Sequence, residues 1–139
     1  MELQMSNANM TTPDMKLELV PVPVSDVDRA KAFYVEKVGF HLDFDHQQTA
    51  STRIVQLTPP GSGCSILLST GLGDISEMKP GSVKGLHLVV KDVSSVRELL
   101  IGRGVQVSDI VEYPRGIKSA FFSDPDGNSW ELQEIPPSL

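Results

Sequence analysis

Three histidines and one late glutamate are the side chains best suited to chemistry. His87 sits in the alternating segment Gly85-Leu86-His87-Leu88-Val89-Val90, and Glu131 in Ser129-Trp130-Glu131-Leu132-Gln133. An imidazole beside a carboxylate can pass a proton or grip a polar group of a guest. His41 and His46 stand with Asp43 and Asp45 in one polar stretch. With Glu131 they have the composition of a two-histidine, one-carboxylate metal site, against the simpler reading of solvated edge residues. Asp124-Pro125-Asp126-Gly127 opens like a calcium loop, but the twelfth position is Ile135 where a glutamate is needed, so it reads as a turn. Arg53, Tyr113 and Arg115 can meet an anionic group from strand or loop positions, or can simply be surface residues. Cys64 is the single cysteine, which leaves no internal disulfide and no thiolate cluster, and reads as a small buried filler. The chain contains no nucleophile elbow, phosphate-binding loop or dinucleotide fingerprint.

The elements that must position these residues repeat. Val24-Ser25-Asp26-Val27 returns as Val90-Lys91-Asp92-Val93, an offset of 66 residues (92 − 26). Each aspartate, or Ser25 before the first, can cap a helix whose apolar stripe has the same phase: Val27, Ala30 and Tyr34 in one copy, Val93, Val96 and Leu100 in the other. Gly39 and Gly104 follow where a left-handed cap is expected. The first copy continues as strands over 40–44, 52–57 and 65–68, and the second over 105–111, 118–123 and 129–133, with 86–90 as its opening strand. The expected fold is α+β, with tandem βαβββ modules forming a half-open mixed-sheet cup and helices outside. The domain should span 16–135, as modules 16–70 and 85–135 joined by the loop-like segment 71–84. Residues 1–15 are polar and aperiodic, and read as a flexible N-terminal arm or an appended leader.

Strand parity sorts the candidates onto faces. Val20, Val22 and Val24 point under the first helix, leaving Leu19, Pro21 and Pro23 opposite. Leu86, Leu88 and Val90 point under the second, leaving Gly85, His87 and Val89 opposite. On the last strand Trp130 and Leu132 face the core, with Glu131 and Gln133 opposite. His87 and Glu131 therefore share one concave face. Pro21 and Pro23 weaken one strand edge by removing two N–H donors of the same parity.

Composition narrows the partners. The 139 residues are 40% apolar and 22% charged, which fits a globular domain rather than a disordered tail. A net charge of −6 repels phosphate backbones and anionic membranes, so no nucleic acid and no membrane partner is expected. Cysteine usage and the lack of a signal-peptide pattern predict a cytoplasmic protein.

The repeated Val-x-Asp-Val segments, Phe33-Tyr34 with Gly39-Phe40, His87-Leu88-Val89-Val90, and Ser123-Asp124-Pro125-Asp126-Gly127-Asn128-Ser129-Trp130-Glu131-Leu132 together make the chain resemble the vicinal oxygen chelate superfamily. That is the group of glyoxalase I, extradiol dioxygenases, and bleomycin- and fosfomycin-resistance proteins. The resemblance covers residues 16–135 and implies paired modules whose cup holds a metal and a small molecule. It places four metal-ligand positions at Leu19, near Leu67, at Gly85 and at Glu131. Only the last can donate, so neither a metal nor another cofactor is expected.

Three functions follow as expectations. One is a small-molecule binder with an incomplete metal site, acting by sequestration or by metal-free acid/base chemistry through His87 and Glu131. Leu19, Pro21, Arg53, Leu67, His87, Tyr113, Glu131 and Gln133 would contact the ligand. The second is a metal-dependent lyase, isomerase or dioxygenase using unusual ligands; the third is a non-catalytic structural or regulatory module. Metal content separates the second from the others, and a ligand-induced melting shift separates the first from the third. The resemblance, with the weakened Pro21/Pro23 edge, also implies a homodimer that completes the cup across subunits.

Overall fold

The structure, a computed structural model, describes residues 10–138. Residues 1–9, most of the expected arm, lie outside the described residues, while 10–15 are exposed. Strand β1 (Leu19–Pro21), helix α1 (Val27–Ala32), β2 (His41–Gln47), β3 (Arg53–Thr58) and β4 (Ser65–Thr70) form the first module. Strand β5 (Leu86–Val89), helix α2 (Val93–Gly102), β6 (Val111–Glu112), β7 (Lys118–Ser123) and β8 (Ser129–Glu134) form the second. Each module makes its own four-stranded sheet, β1-β4-β3-β2 and β5-β8-β7-β6. In both, the first strand runs parallel to the last and the remaining pairs are antiparallel. This is the expected α+β fold of two βαβββ modules.

The helix caps form as the repeat predicts. Asp26 accepts from the Arg29 N–H and Asp92 from the Ser95 N–H, each satisfying a free donor of a first turn. Gly39 and Gly104 both take positive φ after their helices, 94° and 88°. The first helix differs from expectation by widening into a π-helical stretch over Phe33–Val38, with the Gly39 N–H donating to the Tyr34 carbonyl at 2.9 Å. The wider turn brings two adjacent rings to the core: Phe33 lies 6.4 Å from Phe122 and Tyr34 5.8 Å from Trp130, centroid to centroid.

The strand expected over 105–111 is also different, since only Val111–Glu112 pair as a strand. Before it one backbone bond, from the Ser108 N–H to the Phe121 carbonyl at 2.9 Å, is supplemented by side chains. The Ser108 hydroxyl accepts from the Phe121 N–H, and Arg97 Nε donates to the Ser108 carbonyl at 2.7 Å. Elsewhere the core is the shared, helix-side layer of both modules. Val22, Val27, Tyr34, Leu57 and Leu68 of the first pack with Val93, Leu100, Phe122, Trp130 and Leu132 of the second.

A buried polar knot ties the modules together. Tyr34 Oη donates to Asp124 Oδ2 at 2.8 Å and accepts from Trp130 Nε1 at 2.9 Å. Asn128 Nδ2 donates to the same Asp124 oxygen and to the Pro23 carbonyl, both at 2.8 Å. Burial, with the Asp124 charge beside it, pushes the Tyr34 phenol far above its usual range, so the hydroxyl stays protonated and keeps donating. The Asp-Pro-Asp-Gly segment is thus a turn, and its buried aspartate serves the module junction.

Candidate functional site

Pairing register defines the outward face of each sheet, the one turned from the common core. On the second sheet His87 pairs with Glu131 and Glu131 with Phe121, while Val89, Gln133, Ser119 and Val111 form the next row. His87 and Glu131 therefore lie side by side, with Nε2 3.4 Å from Oε1. Glu131 Oε2 accepts from the Ser119 hydroxyl at 2.7 Å, and His87 Nδ1 lies 2.7 Å from the Gly85 carbonyl oxygen. The His87 side chain is 48% exposed and that of Glu131 only 16%, so the imidazole presents the pair to solvent.

On the first sheet, Leu19 pairs with Ser65, and Pro21, Leu67, Gln56 and Phe44 form one row. Leu67 is buried yet stands outside the core cluster, as a side chain on the outward face must. A polar cluster adjoins it. Thr58 and Gln56 donate to Asp43 Oδ2, and the Thr58 and Ser65 hydroxyls lie 2.6 Å apart. Those hydrogen bonds, Thr58 first and then Gln56, hold the Asp43 carboxyl below the usual carboxylate range.

His87 lines a cavity of about 220 Å³ between the modules, walled by Leu17, Val20, Ser65, Leu86 and Trp130 among others. Glu131, Leu19, Pro21 and Leu67 are not in its walls. Cys64 borders this cavity and is half-buried rather than buried as expected.

Arg53 does not reach either outward face. It shares parity with the core residues Val55 and Leu57, and its guanidinium pairs with Asp45 and Asp28, each at 2.7 Å, on the helix side. Tyr113 stands exposed at the start of the turn Pro114–Gly116, where Arg115 adopts a left-handed φ of 69°. His41 lies 3.8 Å from Asp43 with its side chain largely exposed, and His46 is exposed.

Sequence reasoning missed Ser119, Gln56, Thr58 and Ser65, and named Asp43 only beside the two histidines. Parity could have found Ser119, because Ala120 and Phe122 are core residues and their neighbours must face outward. Alternation from the core residues Phe40 and Leu42 likewise puts Asp43 outward, whereas Phe44 departs from it. A bulge between Leu42 and Phe44 shifts the register, so Leu42 faces the core while Phe44 faces outward.

The donor set does not fit a metal ion. Leu19, Leu67 and Gly85 offer no side-chain donor, and among the described residues no group of three or more His, Cys, Asp or Glu is arranged to hold one. Nor is any helix among those residues long and apolar enough to cross a membrane.

Two open, mixed four-stranded sheets with helices on one side define a class, the paired-βαβββ proteins. A family model, the Glyoxalase/Bleomycin resistance protein/Dioxygenase superfamily, matches residues 16–132, and the chain belongs to that superfamily. It is similar to the structure of TnmS3, an antibiotic binding protein from Streptomyces sp. CB03234, at 38% identity and a TM-score of 0.78, over 91% of this chain and 100% of that one. A glyoxalase/bleomycin resistance protein from the same Streptomyces is 42% identical with a TM-score of 0.71, over 84% and 98% of the two chains. A superfamily member from Sphaerobacter thermophilus DSM 20745 is 32% identical with a TM-score of 0.75, over 87% and 98%. No curated protein sequence matches the chain.

Proposed function

We propose that this protein binds and sequesters a small organic molecule, an antibiotic in the first instance, on the outward faces of its sheets. The observation that carries the reading is the composition of those faces. A polar pair, His87 and Glu131, stands where the family's metal donors are otherwise lost, and Leu19, Pro21 and Leu67 supply an apolar wall. Such a surface suits an organic guest better than a hydrated cation. The antibiotic-binding relative, similar over nearly the whole chain, supports the same ligand class.

A homodimer completes the site in this reading. Phe44 and Val89 are 45% and 68% exposed on the two outward faces, apolar area that a second copy, or the guest between copies, would cover. Val111 and Tyr113 continue the exposed patch at the rim of the second sheet. The unit that pairs is the two-module domain 16–135. The lone cysteine fits a reducing compartment, and the cytoplasm is the proposed location. Gln133, next to Glu131 in facing, offers the guest an amide.

The His87–Glu131 contact also favours a second reading, metal-free proton transfer to the bound molecule. One experiment addresses both. The purified protein is melted with and without members of an antibiotic panel that includes bleomycin, and the bound compound is recovered for mass spectrometry. A ligand at a hundred times its Kd should add about 2.7 kcal/mol to stability. Recovery of the intact compound supports sequestration, and conversion that His87→Gln abolishes supports catalysis. A panel that leaves the melting temperature unmoved would sink the binding reading.

A further inference from the structure

Between the modules, the outer edges of β1 and β5 flank a seam and do not pair. Strand β5 pairs only with β8, and β1 only with β4. The Val90 N–H donates to the Gln133 carbonyl at 2.9 Å, so by alternation the backbone groups of Leu86 and Leu88 also turn to β8. Those of His87 and Val89 turn the other way and have no hydrogen-bond partner among the described residues. On β1 the Val22 N–H donates to the Leu67 carbonyl, which turns the backbone of Leu19, Pro21 and Pro23 to the seam. Two of those three residues carry no N–H, and the Pro23 carbonyl already accepts from the Gly81 N–H and Asn128 Nδ2. Strand β1 therefore cannot build a ladder onto β5. An open strand edge of this kind is a template for another extended backbone.

Two largely apolar cavities lie along the open edge. The cavity of about 220 Å³ borders Leu86, His87 and Leu88, and a second, of about 260 Å³, borders Leu88, Val89 and Val90. Leu88 and Pro59 are walls of both. Helix α2 closes the second cavity with Val96 and Leu100, and Phe40 and Pro60 wall it from the first module. The two cavities are offset by two residues along β5, about 6.6 Å, which is the repeat of side chains on one face of a strand. An apolar cavity of about 150 Å³ accepts a benzene ring, so each has room for one large apolar side chain.

We propose that this seam is a binding site for a short extended peptide, taken as an added strand on the free edge of β5 with side chains two residues apart seated in the two cavities. The N–H and C=O groups of His87 and Val89 supply the main-chain hydrogen bonds, and the cavities select apolar side chains at alternate positions. The intervening side chains of the peptide face outward, beside Val89. A ligand without regularly spaced amides would leave these edge groups unpaired as it covered them. A second copy of the chain fits less well. In a pairing of β5 with β5, the side chains facing the cavities would be the partner's Leu86 and Leu88, and those residues already pack against their own core. The site is separate from the reading of the outward faces and does not rest on it.

The test titrates a blocked peptide, lysine-leucine-threonine-phenylalanine-threonine-lysine, into the full-length ¹⁵N-labelled protein, alongside two versions N-methylated at alternate amides. Saturable binding of the parent peptide should slow hydrogen exchange at the His87 and Val89 amides by about tenfold or more. One methylated version loses the N–H groups that meet β5 and should bind about tenfold more weakly or worse, while the other keeps them and should bind like the parent. Val89→Pro deletes a donor of the open edge and should weaken binding to a similar extent. No binding at millimolar peptide, equal affinities for the two methylated versions, or an unchanged affinity in Val89→Pro would each overturn the proposal. So would His87 and Val89 amides already protected in the free protein, whether by residues 1–9, if the protection is independent of concentration, or by a second copy, if it grows with concentration. Should Val89→Pro fail to fold, the two methylated peptides still decide. The antibiotic melting panel reads the outward faces, so its failure and the failure of the peptide series are separate results.

Discussion

Removing one oxygen from the module junction tests whether the buried knot holds the two sheets together. Tyr34→Phe keeps the ring, its 5.4 Å stack on Phe40 and its edge contact with Trp130, and deletes only Oη. Two hydrogen bonds go with it. Asp124 Oδ2 loses a donor but retains Asn128 Nδ2, and Oδ1 retains the N–H groups of Asp126 and Asn128. A hydrogen bond to a charged group contributes about 1.5–3 kcal/mol. Trp130 Nε1 loses its acceptor inside a site where Tyr34 and Trp130 are 0% and 3% exposed, and an unpartnered buried donor costs about 1–3 kcal/mol more. Partial relaxation and entry of a water reduce the sum, so the expected loss is about 3 kcal/mol. For a domain of this size that lowers Tm by roughly 10 °C. Urea denaturation followed by Trp130 fluorescence measures it directly, because the sole tryptophan reports on the knot. Tyr113→Phe, at an exposed tyrosine, is the control and should change stability by less than about 0.5 kcal/mol. A Tyr34→Phe loss below about 1 kcal/mol would refute the claim that these hydrogen bonds join the modules.

Two further outcomes follow from charges and from exposed area. Arg53 first, and then Lys31, donate to Asp45 and hold its carboxyl well below the usual range. A depressed folded value means the associated stability is present above the unfolded value, about 4, and is lost as pH falls through the folded one. Wild-type stability should therefore decline with acid below about pH 4, and Asp45→Asn should remove part of that slope at a cost on the order of 1 kcal/mol near neutrality, the sites being partly solvated and screened by salt. Equal acid slopes in the two proteins would count against the pairing. In light scattering, the chain should give about twice its 15.1 kDa mass at micromolar concentration, consistent with a two-fold interface of at least ~1,200 Å². A persistent 15.1 kDa species would exclude the shared cup.

The sequence by itself determined whatever depends on periodicity and local chemistry. The 66-residue repeat, the Asp26 and Asp92 caps, the Gly39 and Gly104 stops and the parity of β5 and β8 are each written in neighbouring residues. Short-range sterics and hydrogen bonding govern them, so the modules and the shared facing of His87 and Glu131 were legible. Arg53 was legible too, had its parity with Val55 and Leu57 outweighed its charge. Tertiary structure alone decided the rest. Register across strands chose Ser119 as the partner of Glu131, a bulge carried Phe44 to the outward face, and packing of the last turn brought Asp124 to Tyr34. A buried polar atom must find a partner wherever packing has put one, and residues 90 positions apart in the chain carry no local mark of their meeting.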